Sequence, residues 1–335
     1  MFYVFQSTRG RSTDLWTLAG STISNPTRLT NGPLSYRAPI ADLTGHRIFF
    51  LGVEPGTKLY RYDTGSGSFV PGPGFLAHAV HLDFSRDRQW VAWTDSRGRL
   101  WRSRINGTER LQLTPNFLNV FLATWSPDGS QLALMARQNG KPWQIYTVGA
   151  DGGKPELLFH ESRNAADPSW SHDGTHLVFG RLDNNMGREN EPRMLYVLDL
   201  NSGRSEVVPH SEGLFSPRWS PDGRYIAAIT LDQQKLMLYD VKTQEWTTLA
   251  TTSASDPVWS ADSHAVYFHA LTEEFKPLYR ANVASGRLDQ IATLRSFHSD
   301  QPEDFSFCGL SPDDRPFVRI SRRSADLYTA TTDNR

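Results

Sequence analysis

Cysteine is nearly missing from this chain: its 335 residues contain one, Cys308. An intramolecular disulfide and a cysteine-based metal cluster are therefore excluded. The scarcity leaves the compartment open between periplasm and cytoplasm. Excess charge is missing too, with a formal net charge of −1. Nothing in the bulk charge draws the chain to nucleic acid or to an anionic membrane, so no direct nucleic-acid binding is expected. No apolar run approaches the ~18 residues of a membrane-spanning helix. The opening residues, Met1 to Ser7, do not put a basic stretch before an apolar core, so they do not read as a secretion signal. Amphipathic helical periodicity is also absent.

What is present is a repeat. Trp125-Ser126-Pro127-Asp128-Gly129 recurs as Trp170-Ser171-His172-Asp173-Gly174 and as Trp219-Ser220-Pro221-Asp222-Gly223. Weaker copies are Trp259 to Ser263, Phe84 to Arg88, Leu310 to Asp314 and the worn Ala41 to Gly45. Successive copies are 43, 41, 45, 49, 40 and 51 residues apart. A period of about 45 residues fits one four-stranded propeller blade. Each copy precedes a short apolar run such as Leu132-Ala133-Leu134, then a Leu-Tyr type run such as Leu195-Tyr196, then a Gly turn and a further β-rich run. Short β-rich runs split by Gly, Asn and Asp are hairpin signals.

The motif reads as structural. Pro presets φ, Asp accepts from nearby backbone N–H groups, and Gly tolerates positive φ. Asp128, Gly129, Asp173, Gly174, Asp222 and Gly223 are therefore assigned to turns. Trp125, Trp170, Trp219 and Trp259 are assigned to the packing between blades, where an indole buries a large area. The chain begins within a repeat. Tyr3-Val4-Phe5, Leu15-Trp16 and Arg28-Leu29-Thr30 align with second, third and fourth strands, while Phe317-Val318 and Asp326-Leu327-Tyr328 supply a second and a third. Eight copies result, the outer two incomplete. The expectation is a single all-β propeller domain over 1–335 with eight four-stranded antiparallel blades, or seven if the ends merge. It has an incomplete first blade at 1–30 and repeats at 31–74, 75–114, 115–159, 160–208, 209–249, 250–293 and 294–335. A longer parent protein is part of the same expectation.

These residues resemble the TolB-type, WD-like β-propeller repeat of bacterial proteins over essentially the whole chain. Arg28 to Pro33, Leu100 to Arg104 and Gly213 to Trp219 are similar to the C-terminal sensor propellers of winged-helix (CadC-like) or kinase-linked regulators. That resemblance implies a bacterial signalling role. Two propeller-bearing enzyme families offer the contrast. Prolyl-oligopeptidase-like proteins need a Gly-x-Ser-x-Gly elbow, which is absent here. Oligogalacturonate lyase implies a largely histidine metal site at the channel mouth, and only His78 and His81 lie close together in this sequence. The expectation is therefore a non-enzymatic module without a cofactor or metal, with a metal-dependent polysaccharide lyase as the alternative.

Strand parity locates a binding face. The longest insertions, Asp183–Pro192 and Arg295–Asp304, fall in connections that share the rim opposite the motif turns, and variable loops on a rigid scaffold commonly bind. Tyr36, Arg37, Phe121, Arg163, Asp167, Phe215 and Asp256 are expected to surround the channel mouth there. They would receive a protein or peptide segment, or a small ligand.

Overall fold

The computed structural model describes residues 2–9, 12–19, 25–31, 34–44, 46–159, 163–182, 193–297 and 304–331. The chain divides into two compact units: residues 1–57, 301–304 and 321–335, and residues 58–300 with 305–320. Described secondary structure is all β apart from two 3-10 turns, Gly74–Leu76 and Leu294–Ser296.

In the smaller unit, β1 (Phe2–Arg9), β2 (Ser12–Ala19) and β3 (Thr27–Arg28) form a three-stranded antiparallel sheet in that order. These are the second, third and fourth strands of the incomplete first repeat. β4 (Ser35–Ala41) pairs with the opening part of β5 (Arg47–Asp63). Leu15, Ile48 and Phe50 form a small core, joined by Tyr36. Tyr328 of the long last strand stacks on Phe50 with centroids 6.0 Å apart.

The larger unit is a propeller. Its first five sheets are four-stranded and antiparallel. The first contains β7 (Ala79–Phe84), β8 (Trp90–Asp95), β9 (Leu100–Arg104) and β10 (Leu111–Gln112), and the second β11 (Leu118–Trp125), β12 (Gln131–Gln138), β13 (Gln144–Gly149) and β14 (Gly152–Leu157). The third has β15 (Asn164–Trp170), β16 (His176–Leu182), β17 (Tyr196–Asp199) and β18 (Ser205–Val207). β19 (Leu214–Trp219), β20 (Tyr225–Thr230), β21 (Lys235–Asp240) and β22 (Glu245–Thr251) make the fourth. The fifth consists of β23 (Ser255–Trp259), β24 (Ala265–His269), β25 (Leu278–Asn282) and β26 (Leu288–Ala292).

The sixth sheet joins both ends of the sequence. β27 (Asp304–Leu310) and the opening of β28 (Pro316–Thr331) share it with the end of β5, which pairs with β6 (Ser68–Pro71). Tyr60 and Phe69 from one end pack with Phe305, Val318 and Ile320 from the other.

The propeller of four-stranded antiparallel blades is thus as read from the repeat. Six sheets contribute to the larger unit, and the copies at 31–74 and 294–335 are shared between the two units. Ile48 to Tyr60 lie within one 17-residue strand, and Phe317 to Tyr328 within one of 16 residues, where the repeat grammar placed two strands each. Each long strand contributes to both units.

The motif holds the first hairpin of each blade. Ser126 Oγ donates to Asp128 Oδ1 at 2.6 Å and accepts from the Gln131 N–H at 3.1 Å. Ser85, Ser171, Ser220, Ser260 and Ser311 repeat that two-way link with Asp87, Asp173, Asp222, Asp262 and Asp313. Gly129, Gly174 and Gly223 close their turns at φ of 72°, 73° and 79°. These hydrogen bonds favour the ionised carboxylate. The Ser171 hydroxyl, together with Thr175, holds the Asp173 carboxyl down to about 2.

Candidate functional site: the channel of the larger unit

Six first strands surround one cavity of about 520 Å3. The residue immediately before each motif aromatic faces it: Asp83, Thr124, Ser169, Arg218, Val258 and Gly309. Several of these also tie one blade to the next. The Trp125 N–H donates to Asp83 Oδ2 at 2.8 Å, and its indole Nε1–H donates to the Asp83 carbonyl at 3.2 Å. Trp170 Nε1–H donates to the Thr124 carbonyl at 3.0 Å, and Trp259 Nε1–H to the Arg218 carbonyl at 2.9 Å. All three indoles are buried. Trp219 differs. It is half-buried, and its indole turns to the Gly223 carbonyl of its own hairpin. Its backbone N–H still reaches across to Ser169 Oγ at 2.9 Å.

At Gly309 the sixth blade meets the first. A Cβ there would stand 2.5 Å from the Leu82 carbonyl oxygen, and φ is +141°. Only glycine fits so close a backbone approach.

The first strands also share an irregularity. Register shifts fall between Ala166 and Ser169, Phe215 and Arg218, and Ser255 and Val258. Inside these bulges Asp167, Ser216 and Asp256 hold φ of 56°, 52° and 50°, and each precedes a proline. Positive φ is costly for a side-chain-bearing residue. Bulges commonly re-aim side chains beside functional sites.

Charge concentrates at mid-channel. Arg218 Nη1 donates to the Pro217 carbonyl at 2.8 Å, and Nη2 lies 3.3 Å from Asp167 Oδ1. Burial pushes the Asp83 carboxyl up to about 6 against the pull of the Trp125 N–H. Asp256 is pushed up to about 6 by burial as well, opposed by Arg218 and reinforced by Asp167. Burial lowers His81 to about 4, aided by Arg319 and Arg218. The Cys308 thiol, also in the lining, is pushed up to about 12 by burial.

The cavity extends to the motif turns, where Pro127, His172, Pro221 and Pro312 rim it. Arg86 reaches across that rim. Its Nη2 donates to the Pro221 carbonyl at 3.2 Å and stands 3.2 Å from His172 Nδ1. His172 Nδ1 is itself in close contact with the Pro221 carbonyl.

Of the seven residues assigned to the mouth, Asp256 lines the cavity and Asp167 is bound to its Arg218. Phe121, Arg163 and Phe215 belong to the same unit but not to the lining. Phe121 packs on His81 at 4.6 Å, Phe215 joins the core of the fourth and fifth blades, and the Arg163 carbonyl accepts from Gln144. Tyr36 and Arg37 lie in the smaller unit, where Tyr36 packs edge-on to Phe50 and Arg37 is exposed. Insertion Asp183–Pro192 lies outside the described residues, as does most of Arg295–Asp304. Asp83, Arg218 and Arg86 escaped the sequence reading, and His81 entered it only as half of the His78/His81 pair. The position before each motif aromatic would have found Asp83 and Arg218. Among the described residues no three His, Cys, Asp or Glu side chains converge as a metal site, and no helix is long and apolar enough to cross a membrane.

No protein-family model matches the chain. Among curated proteins, a 92-residue stretch is 27% identical to the Tol-Pal system protein TolB of Alcanivorax borkumensis, covering 27% of this chain and 20% of that protein. Another, of 109 residues, is 27% identical to the uncharacterized peptidase YuxL of Bacillus subtilis, covering 31% of this chain and 17% of that one. The matched stretches therefore span a fifth or less of those relatives. Among solved structures, the putative TolB from Agrobacterium tumefaciens superposes with a TM-score of 0.62 at 17% identity, covering 80% of this chain and 99% of that chain. This chain has a TolB-like β-propeller fold. TolB from Acinetobacter baumannii gives 0.53 at 13% identity over 97% of this chain and 79% of its own. An oligogalacturonate lyase in complex with manganese gives 0.50 at 15% identity, covering 85% and 86%.

Proposed function

We propose that the protein is a non-enzymatic binding module that takes a segment of a partner polypeptide into the channel of its larger unit. The observation that carries this reading is the cavity of about 520 Å3 lined by all six first strands, with charged groups at its centre. A concave site with a few convergent polar groups is the usual form of a binding pocket. The likeness to TolB propellers supports protein interaction as the role. A buried thiol held near 12 is a poor nucleophile, and the Ser169 hydroxyl is engaged by the Trp219 N–H. Both favour binding over catalysis. Within this reading the module serves a longer bacterial signalling protein, supported by the sensor-propeller resemblance of Gly213 to Trp219.

A photo-crosslinking residue at Val258, in the cavity lining, tests the reading against one at Glu206, on the exposed outermost strand of the third blade. In cells of the source organism, Val258 is expected to yield a discrete protein adduct that Glu206 does not. Identical adducts from both positions, or none from Val258, would contradict it.

A further inference from the structure

The mid-channel groups differ in how fully they are satisfied. Both ends of the Arg218 guanidinium are engaged, by the Pro217 carbonyl and by Asp167. Asp83 accepts the Trp125 N–H through Oδ2. Asp256 lines the cavity, is half-buried, and has no hydrogen-bond partner among the described residues. Its bulge, at φ 50°, holds it there at a conformational cost. Burial disfavours its ionised form against the pull of Arg218, so a further donor or positive charge reaching it is stabilising. Asp256 thus leaves acceptor capacity unused at the cavity wall. The cavity lining also includes the apolar Leu82, Leu122, Val258 and Leu310.

We infer that the channel selects a single basic side chain, the ammonium or guanidinium of a lysine or arginine in the partner segment, with Asp256 as its main counter-ion and Asp83 as a second acceptor. The inference rests on the binding-module reading and gives that site its chemistry. The apolar lining suits the aliphatic stem of such a side chain. Arg86 and Arg88 line the motif-side end of the cavity, so a polybasic segment is repelled there while one basic group reaches the acids beyond.

The test uses the full chain and small probes that carry only a stem and a head group: n-butylammonium, n-butylguanidinium, n-butyrate and n-butanol, followed by saturation-transfer NMR and calorimetry at neutral pH. Both cations are expected to bind saturably, and spermine no more tightly than n-butylammonium. Butyrate and butanol are expected to bind at least tenfold more weakly. Asp256→Asn should weaken cation binding tenfold or more. Asp83→Asn, which keeps an acceptor for the Trp125 N–H, should weaken it severalfold. Thermal melting of each variant checks that it is folded, and a misfolded Asp256→Asn leaves Asp83→Asn and the probe series to decide. Absence of saturable cation binding, preference for butyrate, or undiminished binding by folded Asp256→Asn would overturn the inference. A Val258 adduct combined with any of those results would keep the channel as the site and reject only this chemistry.

Discussion

Individual residues in this chain divide between holding blades and furnishing the channel, and neighbours in sequence do different work. Trp125 ties the second blade to the first, while Thr124 beside it faces the cavity. Trp125→Ala is expected to lower stability by about 3–5 kcal/mol, the usual cost of truncating a large buried aromatic; chemical denaturation measures it. Trp219→Ala should cost clearly less, because its half-buried indole bonds only within its own hairpin. Asp256 works in the opposite direction. Its folded-state value near 6 stands above the ordinary carboxylate value, so its contribution to stability is fully present below about 4 and is lost as pH rises through about 6. Asp256→Asn removes that loss. The variant should therefore gain on the wild type at pH 8, by up to about 3 kcal/mol, with little difference at pH 4. Melting curves at the two pH values decide, and an equal effect at both would contradict the placement of this carboxyl.

At the scale of strands and turns, the motif was legible and the bulges were not. Ser-Pro-Asp-Gly announces a hairpin because each residue type has a known turn role, and the structure repeats the same Ser–Asp link in all six blades. The dipeptides Asp167-Pro168, Ser216-Pro217 and Asp256-Pro257 were just as visible, but X-Pro normally signals extended backbone at X. Tertiary packing overrides that local preference and holds X at positive φ. Ser216 is the cleanest probe, being buried with φ 52°. Ser216→Gly should change stability by less than about 0.5 kcal/mol, as relieved strain offsets added chain entropy. Ser216→Val should cost about 1–3 kcal/mol, since a β-branched residue resists that region. Denaturation midpoints measure both, and a neutral Ser216→Val would show that the bulge relaxes freely.

Across the whole molecule, the repeat period determined the blade. Arithmetic over motif copies treats every copy alike. It cannot register that Arg47–Asp63 and Pro316–Thr331 run on as continuous strands, each serving two units. The closing sheet of the larger unit is assembled from both ends of the sequence, so damage there should act on the ring rather than on one blade. Val318 is fully buried in it beside Tyr60 and Phe305. Val318→Asp is expected to shift the tryptophan-fluorescence unfolding transition as one step, since nine of the ten tryptophans lie in that unit; a separate early transition would show independent blades. The candidate site was partly legible at this scale. A central channel follows from any propeller, but which side chains it gathers depends on strand register and bulges: of the residues named from sequence, Asp256 lines the cavity and Asp167 pairs with Arg218, while Tyr36 and Arg37 lie in the smaller unit. The central claim, that the channel encloses an unpaired acid as the focus of a binding site, is tested most directly by titrating the Asp256 carboxyl. Carbon-13 NMR of aspartate-labelled protein, assigned by the signal missing from Asp256→Asn, would follow it. A midpoint near 6 is predicted, and a midpoint near the ordinary 4 would contradict the account.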